Sequence, residues 1–364
     1  MSKPRVLYIA LESPREGQAS YAHVHEIIAG LERIGHQVTL FAPRYRDGWQ
    51  RPGLVGRLWE YLVIQFQLCL ALRPGDVIYV RSHFLAVLAS VWGKVLGCKL
   101  IQEINGPYED LFITYPWTAR FEKLLTWLQR WQFQVASALI CVTPQLKTWV
   151  GKQVNGPLIE VVPNGANTDL FKPEAVTSRT DLPEKYVCFF GGFARWQGIE
   201  TMIGAVDAPE WPEDTKLVVI GDGQQRDLVE GAAKRNPKLQ WLGRLNYREV
   251  PGVVARSIGG LVPKNKSGDR DGTGLFPLKV FETLACGAPA IVSDFPGQAD
   301  LIRENNCGLV VPPEDPKALA EAVAQLAADP AAAREMGLRG AAAVQREHSW
   351  QARAEQTSEI IARA

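Results

Sequence analysis

The chain has 364 residues, more than one hydrophobic core usually supports, so its length predicts two domains of ordinary size. A formal net charge of +1 gives no global field that would attract nucleic acid, and this argues against a nucleic-acid partner. The six cysteines are scattered, with no C-x-x-C pair and no nearby histidine cluster. This pattern suggests neither a zinc site nor a disulfide framework, and a reducing cytoplasm fits it best.

Short β-branched runs alternate with amphipathic stretches from end to end, which predicts an α/β protein built from βα units around parallel sheets. The first run leads into a helix with Val24, Ile27 and Leu31 at helical spacing. The strand-like runs of the first half are RVLYIAL, QVTLFAP, DVIYVRSH, KLIQEING, ALICVTP and IEVVPNG. The polar, proline-containing stretch 167–185 follows and is the candidate linker.

A second series of strands and helices fills the rest of the chain. Its strand-like runs are YVCFFGGF, KLVVIGDG, LQWLGR, GGLVPK, PAIVSD and CGLVVPP. The segment from 315 onward is predicted to be helical, with breaks at Pro330 and Gly340. The run GDGQQR has Arg226 where a dinucleotide fingerprint needs its third glycine, so a dehydrogenase is disfavoured.

One predicted helix, at about 277–286, carries two charged residues in an otherwise apolar context. Pro277 suits its first turn and Gly287 its end, and Lys279 and Glu282 share a face. A surface ion pair is the structural interpretation. The preceding loop is long, glycine-rich and charged, and it follows a strand, where α/β folds bind ligands, so a ligand site is favoured.

Five segments together resemble glycosyltransferase family 4, the retaining enzymes of GT-B fold. They are VVPNGANTDLFKP, YVCFFGGFARWQGIETMIGAV, KLVVIGDGQQRDLVEGAA, PLKVFETLACGAPAIVSD and CGLVVPPEDPKALAEAVAQLAADP. The resemblance covers nearly the whole chain and is most specific in the second half. It implies two Rossmann-like domains that face an interdomain cleft. Residues 1–170 would bind the acceptor, 171–348 the nucleotide sugar, and a C-terminal helix at about 349–364 would cross back onto the first domain.

The resemblance also implies the donor-binding residues. Glu282 would hold the ribose hydroxyls, and the helix start at Leu278 and Lys279 would face the diphosphate. Main-chain groups at two strand ends would contact phosphate or base. The remaining donor-site candidates are Gly192, Arg195, Gly221, Gly223, Arg244, Leu245 and Gly274.

The chain departs from the family pattern at two places in this site. Many members carry a second glutamate where this chain has Gly274, and the loop 191–198 lacks both usual cations, with Arg195 between their positions. Replacement charge is expected from Lys264, Lys266 or Arg270. A metal held by Asp269 and Asp271 is the less favoured alternative, because such a short motif is common in solvated loops, so no metal or other cofactor is predicted.

In the first half, Gly17 and Gln18 form a small-residue loop before a helix and are the acceptor-binding candidates. His83 follows a strand at the end where ligands bind. Glu103 and Asn105 stand in the turn where the family usually has a histidine, and with His83 they are the catalytic candidates. The five histidines of the chain show no arrangement suited to acid and base chemistry.

Two segments, at about 44–66 and 115–140, mix aromatic, aliphatic and basic residues at helical spacing. Packed interior helices are the default interpretation. Interfacial helices in peripheral contact with a membrane are the alternative, at the inner face of the cytoplasmic membrane.

The predicted function is transfer of a sugar from a UDP- or GDP-linked donor to a glycan or lipid-linked acceptor, in polysaccharide or lipid-linked glycan synthesis. Two alternatives keep the same fold. One is a sugar-nucleotide epimerase, which would need further acid and base groups. The other is a non-catalytic subunit that binds sugar nucleotide, to which Gly274 and the missing loop cations lend weight.

Overall fold

The computed structural model describes residues 3–12, 19–43, 53–266 and 272–364. Within these ranges, strands pair in parallel to form two six-stranded sheets flanked by helices, which confirms the predicted α/β class. The chain divides into two compact units. Unit 1 comprises Met1–Pro163 and Arg353–Ala364, and unit 2 comprises Asn164–Ala352.

The twelve runs expected as strands each contain one. The strands are β1 (Val6–Ile9), β2 (Val38–Phe41), β3 (Val77–Arg81), β4 (Lys99–Ile104), β5 (Ala138–Cys141), β6 (Leu158–Val161), β7 (Tyr186–Gly192), β8 (Lys216–Asp222), β9 (Leu239–Trp241), β10 (Gly259–Val262), β11 (Ala290–Ser293) and β12 (Gly308–Val311).

The described α-helices are α1 (Ala19–Arg33), α2 (Leu54–Ala71), α3 (Val87–Val95), α4 (Asp110–Thr114), α5 (Glu122–Val135), α6 (Pro144–Gly151), α7 (Ile199–Val206), α8 (Arg226–Arg235), α9 (Val250–Arg256), α10 (Leu278–Ala285), α11 (Gln298–Asn305), α12 (Pro316–Ala328), α13 (Pro330–Glu347) and α14 (Trp350–Arg363). Short 3-10 helices cover Pro116–Phe121 and Arg195–Gln197. No helix among the described residues is both long enough and apolar enough to cross a bilayer.

Unit 1 is built on a sheet with strand order β2-β1-β3-β4-β5-β6. Helix α1 buries Val24, Ile27 and Leu31 against it, as their spacing predicts. The end of α14 is also anchored in this unit, since the His36 Nε2 and Ser358 Oγ atoms lie 2.8 Å apart and Lys99 Nζ donates to the Ile361 oxygen at 3.0 Å.

Unit 2 is built on a sheet with strand order β12-β11-β10-β7-β8-β9. The stretch 167–185, expected to be a linker, lies inside this unit. It is held there because Phe171 and Leu182 are buried in the unit's core, and the Phe171 ring lies 5.3 Å from that of Tyr247.

The C-terminal helices differ from the prediction at one glycine. A break occurs before Pro330, as expected, but Gly340 lies inside α13 and does not interrupt it. Helix α13 packs on α10 so closely that a Cβ at Gly340 would lie 2.6 Å from Leu284 Cδ2. Gly340 therefore permits helix packing and is not a stop signal.

Candidate active site

Helix α10 carries the two charged residues that the sequence singles out in unit 2. All of its residues are buried, and Lys279 and Glu282 are only 8% and 6% exposed. A surface ion pair is thereby excluded, because neither side chain reaches the surface. Buried charged groups need specific partners, and the partners of these two define the site.

The start of α10 is fixed by main-chain contacts. Asn164 Nδ2 donates to the Phe276 oxygen at 2.7 Å, and the Leu275 nitrogen donates to the Pro296 oxygen at 2.9 Å. Pro277 is the N-cap residue, just before the first turn, and its side chain makes no capping hydrogen bond. The first backbone amides, those of Leu278 and Lys279, therefore retain the partial positive charge of a helix N-terminus.

Two buried lysines meet at one neutral amide. Lys279 Nζ donates to Gln197 Oε1 at 2.9 Å, and Lys264 Nζ donates to the same oxygen at 3.0 Å. Lys264 follows β10 and is 7% exposed. Gln197 occupies the loop position where the resemblance expects a lysine, so the cations of this region come from outside that loop.

The environment of Lys279 disfavours its charged form. Burial, and then the charge of Lys264, lower the pKa of Lys279 well below its usual value, although Glu282 acts in the opposite direction. The Lys279 ammonium also lies 3.9 Å from the centre of the Phe189 ring. A Cβ at Gly191 would lie 3.1 Å from Lys279 Nζ, so a glycine there leaves room for the ammonium group. An incoming anion would relieve the repulsion between the two lysines.

Glu282 accepts a hydrogen bond from the Tyr247 hydroxyl at 2.8 Å. Tyr247 lies in the segment between β9 and α9 and packs against Phe171. A carboxylate has up to four acceptor positions, so a tyrosine hydroxyl orients Glu282 without using its whole capacity.

The glycine-rich strand ends of β7 and β8 lie directly against each other. A Cβ at Gly221 would lie 2.0 Å from the Gly191 oxygen, and one at Gly223 would lie 2.6 Å from the Phe193 nitrogen. The predicted donor residues Gly221 and Gly223 thus allow two turns to approach closely, with backbone φ of 136° and 159°.

Three other predicted donor residues, Arg195, Arg244 and Leu245, lie in the segments that follow β7 and β9. Arg244 is exposed and its Nε lies 3.2 Å from Asp222 Oδ2, whereas Leu245 packs against the core of unit 2. Arg195 is exposed, and its backbone oxygen accepts from Asn265 Nδ2 at 2.9 Å. Direct contacts join Lys264, Lys279 and Gln197, whereas the Arg244 side chain is directed to Asp222.

Three further predicted donor residues line the surrounding loops. Gly192 is exposed at the end of β7, and Lys266 is exposed, with its backbone nitrogen 3.2 Å from Glu314 Oε1. Gly274 has a positive φ of 76°, a conformation that glycine adopts more easily than glutamate. Gly17, Gln18, Asp269, Arg270 and Asp271 lie outside the described residues.

In unit 1, polar side chains converge near the carboxyl ends of β1, β3 and β4. Tyr8 and Tyr79 are register partners, with rings stacked 4.8 Å apart, and Arg81 is the register partner of Glu103. Because alternate residues of a strand share a face, Tyr79 and Arg81 lie on the same side of the sheet.

Glu103 is the centre of this cluster and is 2% exposed. Its Oε1 lies 2.8 Å from His23 Nε2, 2.9 Å from Arg81 Nη1 and 2.8 Å from Asn105 Nδ2. Its Oε2 accepts from the hydroxyls of Tyr79 at 2.7 Å and Tyr8 at 3.5 Å.

These contacts keep Glu103 ionised. Burial alone would raise the pKa of Glu103, but the charge and hydrogen bond of His23, the charge of Arg81 and the Asn105 amide outweigh burial and hold the pKa well below its usual value. Such a carboxylate is a poor proton acceptor. The expectation that Glu103 acts directly on substrate is therefore less favourable than a role in which it positions His23 and Asn105.

His83 follows β3, as predicted, and burial lowers its pKa. Its Nδ1 accepts from the Leu85 backbone nitrogen at 3.2 Å, so the neutral ring carries its proton on Nε2. Its ring meets that of Tyr61 edge-on at 5.3 Å. His83 is thus arranged as a neutral hydrogen-bond donor.

Sequence reasoning missed six residues of these clusters: Tyr8, His23, Tyr79, Arg81, Gln197 and Tyr247. His23 was not singled out, although its position four residues before Ile27 on the buried stripe of α1 was an available signal. Tyr247 gave no signal, because it stands 35 residues before Glu282 in an irregular segment. The described residues contain no group of His, Cys, Asp and Glu side chains that could hold a metal ion.

Comparisons with known proteins match almost the entire chain. A model described as Glycosyltransferase Family 4 matches residues 22–170, and one described as Glycosyl transferases group 1 matches residues 173–342. An alpha-maltose-1-phosphate synthase of Mycolicibacterium smegmatis is 26% identical over 98% of both chains.

Two other relatives are matched over only part of their length. The aligned region is 29% identical to an exopolysaccharide phosphotransferase of Streptomyces coelicolor and covers 55% of this chain and 20% of that protein. An alpha-D-kanosaminyltransferase of Streptomyces kanamyceticus is 24% identical over 65% of this chain and 63% of its own.

Solved structures agree with the fold described above. A sucrose-phosphate synthase of Thermosynechococcus elongatus superimposes with a TM-score of 0.79, at 21% identity and 99% coverage of both chains. HepE of Anabaena, solved in complex with UDP-glucose, superimposes with a TM-score of 0.72 at 16% identity, over 99% of this chain and 100% of that one. At these identities the likeness concerns the fold alone.

Proposed function

The chain belongs to the family 4 glycosyltransferases of GT-B fold, and we propose that it transfers a sugar from a UDP- or GDP-linked donor to an acceptor hydroxyl with retention of anomeric configuration. The observation that carries the donor assignment is the buried pair Lys264 and Lys279, which meet at Gln197 beside the start of α10. An anion bound beside this pair would offset the effect of burial and of the Lys264 charge on Lys279.

The proposed anion is the diphosphate of the nucleotide sugar. Lys264 and Lys279 neutralise the charge that develops on the departing diphosphate, and the backbone amides at the start of α10 add hydrogen bonds. These groups are already in place before the reaction, so little reorganisation is needed as the bond to the sugar breaks. In this scheme the lysines replace the two cations that the loop 191–198 lacks, and no metal is required.

We assign the ribose to Glu282. A carboxylate accepts hydrogen bonds from two neighbouring hydroxyls, and charge-assisted bonds of this kind are stronger than neutral ones. Tyr247 holds Glu282 in place through its 2.8 Å hydrogen bond. The UDP-glucose complex of HepE, which has the same fold, supports a uridine donor.

The acceptor is assigned to unit 1. Glu103 orients His23 and Asn105, and His83 donates from Nε2, so these side chains bind and position a hydroxyl-rich acceptor. Because Glu103 is held ionised by its donors, the proton of the acceptor hydroxyl passes to an oxygen of the leaving diphosphate in this proposal. Retention is inferred from the family resemblance.

The pathway we propose is synthesis of a polysaccharide or a lipid-linked glycan in the cytoplasm. Relatives described as phosphatidyl-myo-inositol mannosyltransferase and glycogen synthase act on acceptors of these two kinds. All six cysteines are free, which is compatible with a reducing compartment.

A donor panel tests the proposal. The melting temperature would be measured with UDP, GDP, ADP and their common sugar conjugates, with and without magnesium, on the wild type, Glu282→Gln and the matched control Glu304→Gln, an exposed glutamate of unit 2. We expect one nucleotide to stabilise the wild type and the control, and to do so far less for Glu282→Gln.

If no nucleotide at about 1 mM raised the melting temperature of the wild type, the donor assignment would be refuted. A shift that requires magnesium would overturn the metal-free scheme. For retention, the anomeric configuration of the product would be determined by NMR spectroscopy, and an inverted product would contradict that part of the proposal.

A further inference from the structure

The exposed apolar surface of the described residues is concentrated in unit 1. Only four large apolar side chains outside it are substantially exposed: Val176, Trp196, Leu228 and Leu338. The rest lie on the helices α2, α3 and α5, on Leu96 just after α3, and on Tyr115 and the 3-10 helix that follows it. Contiguous exposed apolar patches of this kind mark interaction sites.

Helix α2 presents an apolar stripe to solvent. Val55, Trp59, Leu62, Phe66 and Leu70 follow one another at spacings of three or four residues, so they line one face of the helix. Their exposed fractions are 81, 68, 49, 62 and 74%. The opposite face reaches the core through Ile64 and Leu68.

Helices α3 and α5 extend this surface, because α3 packs against both α2 and α5. The exposed apolar residues of these two helices and the adjoining 3-10 segment are Leu88, Val91, Trp92, Val95, Leu96, Tyr115, Trp117, Phe121, Leu124 and Trp127. We call the combined surface of α2, α3, 115–121 and α5 the apolar face.

The polar contacts between these helices lie on their inner side. Gln65 Oε1 accepts from the Leu88 nitrogen at 3.1 Å, which joins α2 to α3. Ser90 Oγ donates to Gln132 Oε1 at 3.3 Å, which joins α3 to α5. Gln65, Ser90 and Gln132 are all nearly inaccessible to solvent. Polar groups inside and apolar groups outside reverse the arrangement of a helix layer that faces water.

Basic side chains accompany the apolar ones. The exposed charged residues on α3, α5 and the 3-10 segment are Lys94, Arg120, Glu122, Lys123 and Arg130. Only Glu122 among them is acidic. Tryptophans with lysines and arginines are the residues that anchor proteins at the boundary between headgroups and acyl chains.

We propose that the apolar face of unit 1 docks on the surface of a lipid bilayer that contains anionic lipids. The helices lie in the interface with their aliphatic and aromatic side chains among the acyl chains, and the basic side chains contact the headgroups. Docking does not depend on the proposed function, but it would hold the acceptor-binding unit beside a lipid-linked acceptor.

A second copy of the chain is a less suitable partner for the apolar face than a lipid bilayer. A two-fold symmetric interface through this face would gather Lys94, Arg120 and Lys123 of both copies, six cations, in a single interface. Like charges across an interface oppose association, whereas an anionic lipid surface complements them.

Vesicle co-sedimentation tests the proposal. Full-length protein would be mixed with vesicles of phosphatidylcholine alone and of phosphatidylcholine with phosphatidylglycerol. The test variant is Trp59→Gln/Leu62→Gln/Phe66→Gln, and the matched control is Val176→Gln/Leu228→Gln/Leu338→Gln, which changes three exposed apolar residues of unit 2. Melting curves would confirm that both variants fold.

We expect the wild type and the control to bind the anionic vesicles more tightly than the neutral ones, with binding weakened by salt. The test variant should bind at least about tenfold more weakly, because each apolar side chain contributes a sizeable share of the transfer free energy. Brominated lipids should quench tryptophan fluorescence in the wild type.

Three outcomes would overturn the proposal. They are no binding to either vesicle, equal loss of binding in the control variant, and a stable dimer of the wild type that the test variant converts to monomer in analytical ultracentrifugation. The third would assign the apolar face to a second copy. Loss of nucleotide binding would not bear on docking, so failure of the proposed function and failure of this inference remain distinguishable.

Discussion

Lys264 and Lys279 donate to the same oxygen of Gln197, which places two buried ammonium groups beside a neutral side chain. Lys279 is only 8% exposed, and burial together with the charge of Lys264 lowers its pKa well below the usual value. Such an arrangement costs free energy in the unliganded protein, because burial and like charge both disfavour the charged form. We therefore predict that this site lowers the stability of the unliganded protein and raises its affinity for an anion.

The variant Lys279→Met tests both parts of this prediction, the stability and the affinity. Removing one buried ammonium while keeping a side chain of similar length should raise the free energy of unfolding at pH 7 by about 1–2 kcal/mol and weaken nucleotide binding at least tenfold. Chemical denaturation and calorimetry measure the two effects. The exposed Lys234→Met serves as control and should change neither quantity by more than about 0.5 kcal/mol. Lower stability together with undiminished nucleotide binding would contradict the assignment.

The depressed pKa of Lys279 also predicts a pH dependence. An anion binds best to the protonated form, so nucleotide affinity should be constant below the pKa of Lys279 in the free protein and should fall as pH rises through it. In the same window the unfolded chain binds one proton more than the native one, so the contribution of Lys279 makes unfolding less favourable as pH rises. Calorimetric titrations from pH 7 to 10 would measure the affinity, and a constant affinity over that range would refute the role of Lys279.

Glu103 presents the opposite electrostatic case, because a buried carboxylate is surrounded by donors. Glu103→Gln leaves Arg81 without its buried partner and should lower the free energy of unfolding by about 3 kcal/mol, while the exposed control Glu32→Gln should change it little. Urea denaturation at pH 7 measures both. If Glu103→Gln were as stable as the control, the cluster would not stabilise unit 1 as described.

At the scale of single elements, the packing of α13 on α10 supports the donor site. A Cβ at Gly337 would lie 2.1 Å from the Gly287 oxygen, at the turn that follows α10. The helices can approach this closely only because glycine has no side chain there. Position 337 therefore bears on the placement of α10, which carries Lys279 and Glu282.

Gly337→Ala should destabilise the protein by more than about 2 kcal/mol, although alanine favours a helix over glycine. The control is Gly231→Ala in α8, where a Cβ would meet nothing within 4 Å and where a gain of up to about 1 kcal/mol is expected. Thermal and urea denaturation would compare the two. Equal gains in both variants would show that α13 does not pack as tightly as described.

The orientation of α2 and α5 could not be predicted from the sequence pattern. Periodicity located α2 and α5, but it could not determine which apolar stripe faces the sheet, because both faces of α2 carry apolar residues. That choice depends on the inward contacts of Gln65 and Gln132, which link residues of different helices. Interior packing, the default interpretation of these segments, does not hold for their outer faces.

For the molecule as a whole, the alternation of strand-like and helical runs made the α/β class predictable, whereas the GT-B fold was implied by the resemblance to glycosyltransferase family 4. Lys279 and Glu282 were also identifiable, because they interrupt an apolar helix. The cluster around Gln197 was not, since its lysines stand 67 and 82 residues away in sequence and meet only when β10 and α10 fold beside β7. Likewise, Glu103 gathers donors from β1, β3 and α1, and their convergence depends on strand register.

The central claim is that Lys264 and Lys279 supply the cationic charge of the donor site. The most direct test is calorimetric titration of UDP and GDP into the wild type and Lys264→Met at pH 7, with Lys234→Met as control. We predict saturable binding of at least one nucleotide to the wild type and the control, and binding at least about tenfold weaker for Lys264→Met, as expected when a charge-assisted contact is lost. Equal affinity in Lys264→Met, or no binding of either nucleotide to the wild type, would contradict the account.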